Sequence, residues 1–147
     1  MQRRSFATLA TTSANGRPHV AGVLYELADS VVYINTLRLS RKARNVAATG
    51  SAALCVPIRR LPIGPPSTVH VQSEADVIDM DHADIAALLG AGKLKSITSH
   101  GELELPDACF IRVSLDGRRL LTHGLGMSIP TLIGDPIAAG GVVALRG

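Results

Sequence analysis

The segment best equipped for chemistry in this sequence is Ser40-Arg41-Lys42-Ala43-Arg44-Asn45. Ser40 is a good helix N-cap, and Arg41 to Thr49 follow with Ala43, Val46 and Ala47 on one helical face. A helix start offers free backbone N–H groups and the positive end of the helix dipole, both suited to an anion. Ser40 adds a hydroxyl, Arg41 a guanidinium fork and Lys42 a point charge, the groups a phosphomonoester needs. Positive charge in a first turn works against the dipole, so a bound anion would offset a cost the helix otherwise carries. Arg38 extends the run to four cations with no acid between them.

Rival constellations are weaker. Gly126-Met127-Ser128-Ile129-Pro130 lacks the second glycine of a nucleophile elbow. His19, His70, His82, His100 and His123 are scattered, no two of them at i, i+4, and no Cys-x-x-Cys occurs, so no metal site is expected. Gly124-Leu125-Gly126 has Ile129 where a dinucleotide fingerprint needs its third glycine. Cys55 and Cys109 lie in apolar, strand-like runs and read as reduced, buried thiols.

The elements that must position the basic segment are mostly strands. Phe6 to Thr12 is β-prone, and Asn15-Gly16 is a two-residue hairpin signal leading into a second strand, Arg17 to Leu27. Ala28-Asp29-Ser30 turns the chain into Val31 to Thr36. After the helix, closed by Gly50, strands are expected at Ala52–Ile58, Ser67–Ile78 and Ala108–Leu115, with a seventh at Arg119–Thr122 and a late run at Gly141–Leu145. Asp79-Met80-Asp81 supplies acids for the start of a helix over Ala83–Leu89. Six or seven strands and two helices, without strand–helix alternation, predict a mainly β fold: an antiparallel barrel with helices at its rim.

The 147 residues suit one domain, 1–147. Apolar residues make up 46% and charged residues 18%, an ordinary globular balance. Aromatics are only 3%, which disfavours a stacked nucleic-acid platform. No apolar run is long enough to span a membrane, and a cytoplasmic location is the default expectation. The net charge of +3 divides unevenly: residues 1–60 hold nine Lys/Arg against two acids, and residues 61–147 hold six against ten. The excess in the first half suits a small anionic ligand.

Four stretches together resemble the pyridoxamine 5′-phosphate oxidase-like FMN-binding split-barrel superfamily, in its actinobacterial-type members. They are Ala7-Thr8-Leu9-Ala10, Asn15 to Val20, Val31 to Thr36, and Ser40 to Asn45. The resemblance covers about residues 5–80 well and Ala108–Leu115 loosely. It implies a six-stranded antiparallel split β-barrel that homodimerises with FMN at the subunit interface. It also implies an oxidoreductase whose hydride transfer is centred on the flavin ring, acting on a small-molecule substrate, with no catalytic side chain named. The deazaflavin coenzyme is the alternative cofactor, and haem the less favoured one on a non-catalytic binding protein.

By the same resemblance Ser40, Arg41 and Lys42 hold the cofactor phosphate, and Asn35 and Thr36 border the phosphate and ribityl chain. His19, Val20, Ala21, Gly22 and Val23 run beside the ring, and Thr68 and His70 of the fifth strand contribute. Tyr25, Arg59 and His100 are the substrate-facing candidates, and Tyr25 and Tyr33 are the aromatics available to a ring. The chain departs from the true oxidase at Ala21 and Glu26, where that enzyme has Arg and Lys, and at Ser73, where a glycine is common. Vitamin B6 oxidation itself is therefore not expected.

Overall fold

A computed structural model describes residues 6–58, 67–94, 105–116, 119–123 and 140–144. Its strands are β1 (Phe6–Thr12), β2 (Pro18–Leu24), β3 (Glu26–Ala28), β4 (Val31–Leu37), β5 (Ser51–Ile58), β6 (Ser67–Asp79), β7 (Ala108–Ser114), β8 (Arg119–His123) and β9 (Gly140–Ala144). Helix α1 (Arg41–Thr49) joins β4 to β5, and α2 (Ala83–Gly90) follows β6.

Every strand pairing is antiparallel, in the order β2-β1-β5-β6-β7-β4-β3. Only Tyr25 separates β2 from β3, which stand at opposite ends of that order. The single strand expected over Arg17–Leu27 is therefore bent: β2 pairs with β1, β3 pairs with β4, and the sheet curls so that its ends meet there. Counted this way the curl has six strand positions, as a split barrel requires. The 13-residue β6 bridges the halves: residues 67–74 pair with β5, residues 75–79 with β7, and residues 68–70 also with β8.

Two turns distribute their conformations differently from the sequence expectation. In the first hairpin the left-handed residue is Gly16, at φ +80°, and Asn15 keeps φ below zero. Gly16 N donates to Ser13 O at 2.9 Å, so the tight turn spans Ser13–Gly16. The two-residue turn with both φ positive is Asp29-Ser30 (φ 49° and 61°), which joins Ala28 to its partner Val31.

Alternation along the strands sends Ala7, Leu9, Val32, Ile34, Leu54, Val71, Cys109, Ile111 and Val113 into one core, which α1 closes with Ala43 and Val46. Asn45 on the same helix is buried, and its Nδ2 donates to Thr11 Oγ1 at 3.0 Å, fixing α1 to β1. A second cluster lies on the far side of β4, β6 and β7, where Tyr33, Ile78 and Phe110 meet Ile85 and Leu88 of α2.

The start of α2 is built differently from expectation. His82 is its N-cap, with Nδ1 accepting from Asp84 N at 3.2 Å, and Asp84 is the only acid of its first turn. Asp79 is spent elsewhere, in an ion pair with Arg38. Asp84 in turn joins Asp76 in clasping Arg112, at 2.6 Å and 2.5 Å, which ties α2 to the sheet. Both cysteines are free, Cys109 buried and Cys55 half-buried.

Candidate cofactor face

Ser40 caps α1 in an extended conformation, and its Oγ accepts from Ala43 N at 3.3 Å. Thr36, at the end of β4, lies with its Oγ1 3.2 Å from Ser40 Oγ. The two hydroxyls and the open first turn thus sit together, as the sequence suggested. Burial pushes the thiol of Cys109, which pairs with Thr36, upward, while the nearby charges of Arg38 and Lys42 pull it back down. Arg41, next to the cap, also lines a groove beside the first hairpin, with Arg17 and Arg44. Of the four cations, Arg38 is neutralised by Asp79, and Arg41 and Arg44, but not Lys42, line the hairpin groove. The reason is helical geometry, which sets residues 41 and 44 on one face and residue 42 about a hundred degrees away.

β2 alternates between two surroundings. Val23 is core, and His19 and Ala21 share its side of the strand, the side toward α1. Val20 and Gly22 face outward. The His19 Nδ1 atom is buried without a hydrogen-bond partner. Such an atom costs about 1–3 kcal/mol unless something satisfies it.

The outward side of β1, β2, β5, β6, β8 and β9 forms a continuous face. Register places Gly22, Thr8, Cys55, His70, Leu121 and Val142 in one cross-strand row. Val20, Ala10, Ala53 and Gln72 form the row beside it. None of these residues carries a formal charge except by protonation of His70. Between them lies a depression of about 690 Å³, lined by Thr8, Ala53, Cys55, His70 and Leu121. Thr68 lies on the same face, with its Oγ1 2.8 Å from His70 Nε2. Phe6 folds over Gly22, where a Cβ would come within 2.9 Å of its ring.

The structure therefore brings Val20, Gly22, Thr68 and His70 onto one face, and Ser40, Thr36 and Lys42 to one helix start. It keeps others apart from both. Asn35 lies on the α2 side of β4, two residues along from Tyr33, with Nδ2 donating to Cys109 O at 3.3 Å and Oδ1 buried without a partner. Tyr33 is buried against α2, so it does not reach the outward face. Tyr25 packs against the barrel core at the β2–β3 bend. Arg59 and His100 lie outside the described residues. Sequence reasoning passed over Thr8, Cys55 and Leu121; period-two alternation in strands with no charge on the exposed side was the available signal.

Among the described residues no cluster of His, Cys, Asp and Glu is placed to hold a metal ion, and no helix is long and apolar enough to cross a membrane.

The family model described as pyridoxamine 5′-phosphate oxidase matches residues 1–121 of the chain. No curated protein sequence matches it. Among solved structures, a haem storage protein from Vibrio cholerae superposes with a TM-score of 0.65 at 18% identity, over 77% of this chain and 82% of that one. An F420 reductase gives 0.54 at 22% identity, over 77% and 87%. A pyridoxamine 5′-phosphate oxidase-related, FMN-binding protein from Nostoc punctiforme gives 0.57 at 16% identity, over 97% and 88%. At these identities the likeness is one of fold.

Proposed function

Since the chain belongs to the pyridoxamine 5′-phosphate oxidase family, we propose that it is an oxidoreductase binding FMN or the deazaflavin coenzyme as a homodimer. The observation that carries this proposal is the uncharged outward face with its depression of about 690 Å³, a size suited to a flat ring system. The bound cofactor would supply the hydride chemistry at its own ring. The chain's residues do the holding. Ser40, Thr36, Lys42 and the free N–H groups of the α1 start would take the phosphate. Arg41, the first residue of α1, would join them at the edge of the hairpin groove. The unpartnered His19 Nδ1 fits the same need, because a cofactor group would give it a hydrogen bond. Val20, Gly22, Thr68 and His70 would lie along the ring, with a second subunit closing over it.

The vitamin B6 oxidase reaction itself is not proposed, because β2 carries Ala21 and β3 begins with Glu26 where that enzyme has Arg and Lys. A non-catalytic flavin or haem carrier is the second reading. His70 favours it: an imidazole, held through Nε2 by Thr68 Oγ1, lines the largely apolar depression, where it would serve as a ligand.

The test is a side-by-side binding titration with FMN, the deazaflavin coenzyme and haem, followed by addition of NAD(P)H or an electron acceptor. Tight binding of a flavin, with turnover, supports the oxidoreductase. Binding without any redox turnover moves the assignment to a carrier, and failure of all three cofactors to bind removes the proposal. K42A should weaken either flavin by about tenfold or more, as expected for a lost charge-assisted contact.

A further inference from the structure

Three arginines converge where no acid among the described residues meets them. Arg17 comes from the first hairpin, and Arg41 and Arg44 from one face of α1; with Ser13, Asn15 and Ala48 they line a groove of about 400 Å³. All three arginines are exposed, and none makes an ion pair among the described residues. The arrangement is costly for the isolated fold. Arg41 and Arg44 are like charges at i, i+3, and α1 has no acidic residue in its first turn to balance them.

The groove is also rigid. Ser13 N donates to Arg17 O at 3.0 Å, and Arg17 N donates to Ser13 Oγ at 3.0 Å, which pins the base of Arg17. Asn45 fixes the helix to β1 through Thr11. Three guanidinium forks held by two anchored elements suit several oxyanion groups better than one. The volume suits a small ligand, and among the described residues no aromatic side chain lines the groove, which disfavours stacked bases.

We propose that this groove is a second anion site, separate from the Ser40 cap, that takes a small polyanion bearing two or more phosphate or carboxylate groups. It does not depend on the cofactor proposal, because Arg17 and Arg44 have no part in that site.

Calorimetric titration of the full chain with tripolyphosphate and, in a second arm, citrate tests it. Binding should be detectable for at least one probe and should weaken at least tenfold in R17A/R44A, with partial recovery in R17K/R44K. K42A should leave it unchanged. The arm that binds more tightly tells phosphate from carboxylate carriers. R17A/R44A removes only unpaired surface charge, so an unchanged or raised melting temperature without ligand verifies its fold. Absence of binding to both probes, equal affinity in R17A/R44A, or loss of binding in K42A would overturn the site. So would tighter binding of a single-stranded oligonucleotide than of either probe.

Discussion

At the scale of single residues, the two cysteines illustrate how position decides reactivity. Cys109 is fully buried between β4 and β6, and burial raises its thiol pKa; Cys55 is half-buried on the outward face. A thiol reagent should therefore label Cys55 first, with Cys109 protected until the protein unfolds. Mass spectrometry of the partly labelled chain checks this, and equal labelling would contradict the packing. Tyr33 makes a pH prediction. Burial against α2 raises its pKa above 10.0, with Asp84 adding to the effect. The folded state then holds the phenolic proton more tightly than the unfolded chain does. Its contribution is complete below about pH 10 and is lost as pH rises through the folded-state value. Urea midpoints should fall on the alkaline side, and Y33F should flatten that fall.

At the scale of elements, two devices hold the candidate site in place. The first hairpin depends on Gly16 in the left-handed region, so G16A should cost about 1 kcal/mol in urea unfolding. The same change should loosen Arg17 and, with it, polyanion binding. The α2 clamp depends on Arg112, whose guanidinium bridges Asp76 and Asp84. Both aspartates are substantially exposed, which moderates the value of the pairs. R112A should cost about 1–2 kcal/mol and leave flavin binding intact, because this clamp lies on the α2 side of the sheet. Much of this level was legible in the sequence. Both helices and every strand but the short β3 were anticipated to within a few residues, because β-branched runs, Ser40 and Gly50 are local signals. The bend at Tyr25 and the cap at His82 were not, because they arise from pairing with β4 and from Asp84 turning toward Arg112.

At the scale of the whole molecule, the outward face is the feature that asks for a partner. Phe6, Val20, Leu121 and Val142 are each more than half exposed there. An apolar sheet face of this kind is suited to burial against a second copy. If the dimer forms through it, L121R should shift light-scattering mass from dimer to monomer and weaken flavin binding together, while the near-ultraviolet circular dichroism stays native. Retained dimer and retained binding in L121R would place any interface elsewhere.

The sequence by itself determined most of the element list and the antiparallel class, because periodicity and caps are encoded within a few residues of one another, and its short motifs carried the resemblance to the family. It also marked Ser40 as a cap and the neighbouring segment as basic. Tertiary structure alone decided how those charges are shared. One face of α1 gives Arg41 and Arg44 to the hairpin groove, while Ser40 and Thr36 meet at the helix start. Strand register alone joined Gly22, Thr8, Cys55, His70, Leu121 and Val142 into one row, although they span most of the chain. Which residues share a face across six strands depends on pairing partners distant in sequence, and no local pattern carries that information.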